Sequence, residues 1–164
     1  MKETIVQYKN PVLRKIAKEV PLKDIGSEKI NKVIEDMKKS LDVCKDGVAI
    51  AAPQIGKSLR IFVVSPKAFG VSEEEIKTNK DIRYPVFINP KIINLSSRKK
   101  ILDEGCLSVK NIFGKVKRAE KATVEAYDET GKKIVRGGSG LIAEIFQHET
   151  DHLDGKLFID TAKN

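Results

Sequence analysis

Apolar positions recur along this chain with two different periods, and the change from one to the other separates helices from strands. Residues 27–45 (SEKINKVIEDMKKSLDVCK) place Ile30, Val33, Ile34, Met37, Leu41 and Cys44 mostly at steps of three and four. Such steps return to one side of a helix, so the stretch predicts an amphipathic helix with Ser27 as its N-cap. Cys44 falls on the apolar stripe and reads as a small buried hydrophobe. Residues 139–154 predict the second long helix, with Ser139 as its cap. Leu141, Ile142, Ile145 and Phe146 form its apolar face, and Gly155 stops it. A short helical turn is expected over 11–19, opening at Pro11. Residues 59–65, 85–89, 91–97, 122–127 and 132–136 are β-rich; Pro90 splits the second from the third, and Asp-Glu-Thr-Gly joins the last two as a hairpin. Residues 66–84 are polar, with Pro66 and Gly70 marking a loop, and 157–159 are expected to return to a sheet. Helices segregated from mainly antiparallel strands predict an α+β fold.

Composition narrows the class. The 164 residues suit one domain over 1–164, and 40% hydrophobic with 33% charged residues describes a globular chain. No apolar run approaches the ~20 residues of a membrane span. The opening MKETIVQYKNPVLRK lacks the apolar run of a secretory signal. Two cysteines make no disulfide framework and suit a reducing, cytoplasmic compartment. Lys and Arg total 31 against 23 Asp and Glu, a formal charge of +8. The charge is mostly lysine and is spread along the chain, which predicts a solubility surface with a weak pull toward an anion such as the ribosome. With 5% aromatic residues and little arginine, a sequence-specific nucleic-acid reader is not expected.

The chain has two histidines, and both lie in His148-Glu149-Thr150-Asp151-His152. Four residues along a helix turn through about 400°, so the two imidazoles project from one face and can bind a single metal ion. Glu149, beside the first ligand, can reach water at that ion. Catalytic centres of this kind usually take three protein ligands. No third histidine exists, and only residues 153–164 follow His152, too few for the later helix that supplies a glutamate in thermolysin-type proteases. Asp154 and Asp160 are poorly placed, which leaves a cysteine as the better candidate. Cys106, in Glu104-Gly105-Cys106-Leu107-Ser108, follows a strand-like run and fits better than Cys44. One thiolate and two imidazoles suit Zn²⁺, and also Fe²⁺ or related ions. A third stretch, Gly47 to Gly56, is rich in small residues that allow close backbone approach, and Gln54 offers a side-chain amide.

Taken in order, these three segments resemble the peptide deformylase family. The family's glycine–apolar–glycine–apolar–Ala-Ala-x-Gln is similar to Gly47–Gln54, its Glu-Gly-Cys-apolar-Ser matches Glu104–Ser108, and its Gln-His-Glu-x-Asp-His matches Gln147–His152. Flanking text, Asn10–Arg14 and Leu153–Phe158, is similar too. The resemblance implies mainly antiparallel sheets packed around a central helix that carries the histidine motif. It implies hydrolysis of the N-formyl group from the starting methionine of nascent polypeptides, with release of formate. One divalent ion would be held by Cys106, His148 and His152, with Fe²⁺ as the physiological metal and Zn²⁺, Ni²⁺ or Co²⁺ able to take its place. Glu149 would accept a proton from water and pass it to the leaving amine. The Gln54 amide and the backbone N–H of Leu107 would hold the formyl oxygen as it gains charge. Backbone around Val48, Ala49 and Gly105, with Gly47 beside it, would pair with the substrate peptide as an added strand. Val48, Leu141 and Ile145 would line an apolar pocket for the methionine side chain. Two readings stay open for Glu104, an ion pair with Arg118 or a solvated carboxylate. Asp151 would orient a ligand histidine or an adjacent polar group.

The chain departs from the family pattern at three places. Ala49 stands where the family has its second glycine, and its methyl narrows the groove if substrate passes over it. Val109-Lys110-Asn111 replaces an apolar–Pro step. Longer bacterial members dock on the ribosome through a C-terminal helix, whereas here only Thr161–Asn164 follow Asp160, so any ribosome contact is expected to be weak and electrostatic.

Overall fold

Ser27 caps the first helix as its position predicts, its hydroxyl accepting from the Ile30 N–H at 3.3 Å. The computed structural model describes residues 5–163. Residues 1–4, part of the opening stretch read against a signal, and Asn164, the last residue of the tail, lie outside the described residues. Helix α1 (Glu28–Asp42) buries Ile30, Val33, Ile34, Met37 and Leu41, the predicted stripe. It ends before Cys44, which sits half-buried in the turn beyond, where its N–H donates to the Leu41 carbonyl. The expectation of a helical, buried Cys44 is corrected by that turn.

Among the described residues the strands are, in chain order, β1 (Ala49–Ala51), β2 (Ile61–Val64), β3 (Val86–Leu95), β4 (Lys99–Cys106), β5 (Val109–Ala119), β6 (Lys121–Tyr127) and β7 (Lys133–Ser139). Five of them form an antiparallel sheet in the order β1-β2-β3-β6-β7, and β4 pairs with β5 as a separate hairpin. The fold is therefore α+β. Period-two alternation divides the five-stranded sheet between two cores. Ile50, Ile61, Val63 and Ile88 turn toward α1, while Ala49, Phe62, Val64 and Phe87 turn the other way. That second face receives helix α3 (Leu141–Leu153) through Ala143, Ile145, Phe146 and Leu153. Phe62 and Phe87 stack at 4.6 Å, and Phe146 meets Phe87 edge-on at 5.4 Å, which fixes α3 against the strands. A smaller core of Val109, Val116, Leu157 and Phe158 joins the hairpin to the chain after α3.

Several sequence expectations change. The two runs expected at 85–89 and 91–97 merge into the single strand Val86–Leu95, because Pro90 occupies a break in register between Ile88 and Lys91 where no ladder N–H is needed. Asn89, with φ of 52°, uses the bulge to hold both the N–H and the C=O of Val20 at 2.8 Å. Residues 66–84 are not all loop: a 3-10 turn spans Pro66–Phe69, and helix α2 (Glu73–Thr78) follows Ser72, which caps it above three glutamates that suit a helix N-terminus. Ser139 belongs to β7, and Gly140, at φ of 58°, occupies the N-cap of α3 instead. Residues 158–160 form a 3-10 turn, and the return to a sheet comes later, where Lys163 pairs with Lys115. Gly155 ends α3 as expected, at φ of 75°; a Cβ there would meet the Arg14 carbonyl oxygen at 2.6 Å.

Phe146→Ala is expected to cost about 3–5 kcal/mol, since it empties the contact between α3 and the sheet. A lower midpoint in urea at unchanged slope is the result that checks it.

Candidate metal centre and its cavity

His148 and His152 lie one turn apart on α3 with ring centroids 4.9 Å apart. Cys106 reaches them from the end of β4, where the hairpin reverses through Leu107 and Ser108. Its Sγ lies 3.3 Å from His152 Nε2, and the ligand atoms offered by Cys106, His148 and His152 all lie within 4.8 Å of one another. Among the described residues this is the one group of three or more such side chains so arranged. Asp154 and Asp160 stand apart, bonded to Arg60 and Arg14.

The donors suit a divalent ion. Burial, together with the charge on His148, holds the His152 pKa well below the usual histidine value, so that ring is neutral, as a ligand must be. Burial opposes a charged His148 as well, but the Cys106 and Glu104 groups beside it hold its pKa well above the usual value. A thiol and two imidazoles facing one another thus favour a cation between them, and a proton and a metal compete for that place.

Glu104, two residues before Cys106 on the same strand, fixes the orientation of His148. Its Oε1 lies 2.9 Å from His148 Nδ1, which leaves Nε2 for the centre. Arg118 of β5 donates to both Glu104 oxygens at 2.7 and 2.8 Å, and its remaining arm donates to Asp151 at 2.8 Å. The pair is buried, which decides between the two readings left open for Glu104. Burial by itself raises the Glu104 pKa, yet the bonds from Arg118 and His148 bring it down to about 2. Asp151, on another face of α3 from the histidines, reaches Glu104 and His148 only through Arg118.

Glu149 is 4% exposed, and its Oε1 is buried without a hydrogen-bond partner. Burial raises its pKa to about 7, with His148 pulling down and Glu104 pushing up. Gln54 stands on a 3-10 turn directly after β1. Its Oε1 accepts from the Ala51 N–H at 2.9 Å, and its Nε2 donates to Ser108 at 3.1 Å and lies 3.7 Å from Cys106 Sγ. A cavity of about 330 Å³ opens onto these groups. Gly47, Val48, Ala49, Gly105, Leu107, Leu141 and Ile145 all line it, so the residues nominated from sequence converge on one space. They do so differently. Ile145 is buried at the floor and Leu141 is exposed at the rim. Gly47 packs under Leu41 and Cys44, where a Cβ would sit 3.1–3.2 Å from side-chain atoms. Ala49 is buried and belongs to the core beneath α3. At the departure after Ser108, Asn111 takes φ of 62° and Lys110 N–H donates to Gln7 at 3.4 Å.

Sequence reasoning assigned no role to four residues, two of which, Ser108 and Gln147, lie within the matched motifs. Gln147 clamps α3 to β5, accepting from the Ala119 N–H at 2.9 Å and donating to the Ala119 carbonyl at 3.0 Å; its place beside His148 was the available signal. Ser108 holds the Gln54 amide. Phe113 lies over Gly105, where a Cβ would stand 2.6 Å from the ring, so the glycine makes room for it. Glu144, one turn before His148, puts a carboxyl on the cavity wall; nothing in the sequence marked it.

The family model described as polypeptide deformylase matches residues 2–164. The Arabidopsis thaliana protein named peptide deformylase 1A, chloroplastic/mitochondrial, is 42% identical over 161 residues, 95% of this chain and 60% of that protein, so the chain spans under two thirds of that relative. The peptide deformylase of Carboxydothermus hydrogenoformans is 41% identical over 160 residues, 98% of this chain and 93% of that protein. The crystal structure of a peptide deformylase from Legionella pneumophila superposes with a TM-score of 0.84 at 38% identity, covering 99% of this chain and 87% of that one.

Arg118→Met is expected to cost about 3–5 kcal/mol, because it leaves the buried Glu104 carboxylate without its cation. Thermal unfolding reads that loss. Metal titration of the same variant is expected to show affinity weakened about 10–100-fold as His148 loses its fixed partner.

Proposed function

Because this chain belongs to the polypeptide deformylase family, we propose that it removes the N-formyl group from the starting methionine of nascent polypeptides as one catalytic unit over residues 1–164. The observation that carries the reading is the meeting of three distant segments at one cavity. A thiol from β4 and two imidazoles from α3 converge within 4.8 Å, beside a buried, unpartnered carboxylate oxygen.

Cys106, His148 and His152 hold a divalent ion in this reading, with Fe²⁺ as the physiological metal and Zn²⁺, Ni²⁺ or Co²⁺ as alternatives. When bound, that ion supplies Lewis acidity and lowers the pKa of water. Glu149 is the general base. A carboxylate with a pKa of about 7 accepts a proton near neutrality and can return it to the leaving amine, which departs as the new N-terminus while the formyl group leaves as formate. Gln54 donates to the oxygen that gains charge. Its own oxygen is anchored by the Ala51 N–H, which aims the amide before substrate arrives. The Leu107 N–H is assigned as its companion donor.

Among the described residues strand β1 pairs with β2 alone and so forms an edge of the sheet. That free edge favours a peptide adding beside Val48 and Ala49, across the cavity from Gly105. The first side chain then enters between Val48, Leu141 and Ile145. A pocket of this kind separates side chains by only ~1–3 kcal/mol per methylene, so moderate tolerance beyond methionine is expected. No helix among the described residues is long and apolar enough to cross a membrane. We assign the reaction to the cytoplasm, where a free thiol ligand stays reduced. The +8 charge gives at most a weak, salt-sensitive approach to the ribosome.

Formate release from formyl-Met-Ala-Ser by anaerobically purified protein, with metal analysis of the same sample, tests the reading. Cleavage of an internal peptide bond without formate release would overturn it. Glu149→Ala is expected to keep its metal while turnover falls about 10²–10⁴-fold. Cys106→Ser is expected to lose or weaken metal binding, and Gln54→Ala to lower the rate about 10²–10³-fold with metal retained.

A further inference from the structure

The chain carries 31 Lys and Arg residues, yet none of them lines the cavity. Apart from His148 and the Cys106 thiol, the ionisable side chains on its wall are acidic: Asp46 at the rim, Glu144, and Glu149 beside the centre. The one buried arginine nearby is already engaged, with two arms on Glu104 and one on Asp151. Glu144 itself has no ion pair with a cation among the described residues. Burial raises the Glu144 pKa to about 7; the charge of Glu104 and a hydrogen bond to it act the same way, while His148 and Arg118 pull it down. Glu144 lies on α3 between Leu141 and Ile145, within the slot assigned to the first side chain of the peptide. Val48, Leu141 and Ile145 thus give the slot apolar lining, and Glu144 adds a carboxyl to it. Independently of Glu144, the 4% exposed Glu149 presents an unpartnered oxygen in the same wall.

We propose that Glu144 is a specificity-determining residue, which lets the cavity take a first side chain ending in a positive charge, in addition to methionine, and disfavours an acidic one. An ammonium on a four-carbon stem lays its methylenes against Leu141 and Ile145 and brings its charge to Glu144 at the half-exposed rim. There it meets the carboxyl that Glu144 adds to the cavity wall. An acidic side chain adds a third like charge and is rejected by the same field. The inference rests on the deformylase reading for the identity of the occupant.

Two peptides that differ only by the ammonium group separate this from apolar fit: Lys-Ala-Ser and norleucine-Ala-Ser, both unformylated. Calorimetric titration of the metal-loaded protein gives their affinity ratio without turnover. In the wild type the lysine peptide is expected to bind at least as tightly as the norleucine peptide, and the ratio is expected to shrink with added salt. Glu144→Gln is expected to shift the ratio against lysine by roughly tenfold, the scale of one partly desolvated charge pair. Asp46→Asn, at the outer rim, is expected to shift it less. A ratio unmoved by Glu144→Gln, or moved only by Asp46→Asn, overturns the proposal. Wild-type protein that follows the predicted binding pattern yet releases no formate from formyl-Met-Ala-Ser would leave Glu144 with its role and remove the deformylase reading.

Discussion

The contact on which the rest of the site depends is the fork of Arg118. Its guanidinium is held by Glu104 from the neighbouring strand and by Asp151 from α3, at 2.7–2.8 Å. Strand β4 delivers the thiol and α3 delivers both imidazoles. Arg118, which bonds both of these elements, thus helps to hold the three ligands in register. The same Glu104 that receives Arg118 also receives His148, so one carboxylate transmits the position of the hairpin to the orientation of a ring. A buried pair of this kind adds little net stability. Its contribution is geometric.

The hairpin needs such a tie because it is not part of the main sheet. Five strands form one sheet with helices on both faces, and α3 is locked there by Phe62, Phe87 and Phe146. The β4–β5 hairpin meets α3 from the other side through polar contacts: the Arg118 fork and the amide of Gln147 on Ala119. Apolar packing positions the helix and buried polar bonds position the strand. The cavity is the space left between them. This division explains why a strongly basic chain has an acidic cavity. Its nearest arginine is consumed in holding the walls together, and no lysine or arginine lines the cavity beside Glu144 and Glu149.

Much of this was readable one element at a time. The stripe of α1, its Ser27 cap, the Asp-Glu-Thr-Gly hairpin and the Gly155 stop are local features, decided by periodicity and turn chemistry within a few residues. The misreadings share a cause. Pro90 seemed to divide a strand because the bulge that tolerates it exists only when β6 lies alongside. Ser139 seemed a cap because its hydroxyl suits one, but pairing with Lys121 keeps it in β7. The β4–β5 hairpin was barely visible: its outer face carries Lys99, Ile101, Phe113 and Lys117, so polar and apolar residues do not alternate cleanly.

By itself the sequence determined the chemical inventory. Two histidines one helical turn apart, a glutamate beside the first, and a cysteine in a glycine-bounded turn left few other donors for a metal, because helix geometry alone places the imidazoles together. Only the tertiary structure decided how distant residues share a charge. It decided that Glu104 is buried on Arg118 rather than solvated, that Asp151 acts through that arginine, and that Gln54 is pinned by Ser108 and Ala51. It also placed Glu144 on the cavity wall, where no lysine or arginine stands beside it among the described residues. Apart from the local Ala51–Gln54 bond, these contacts join residues 14 to 54 apart along the chain, and no local pattern encodes them.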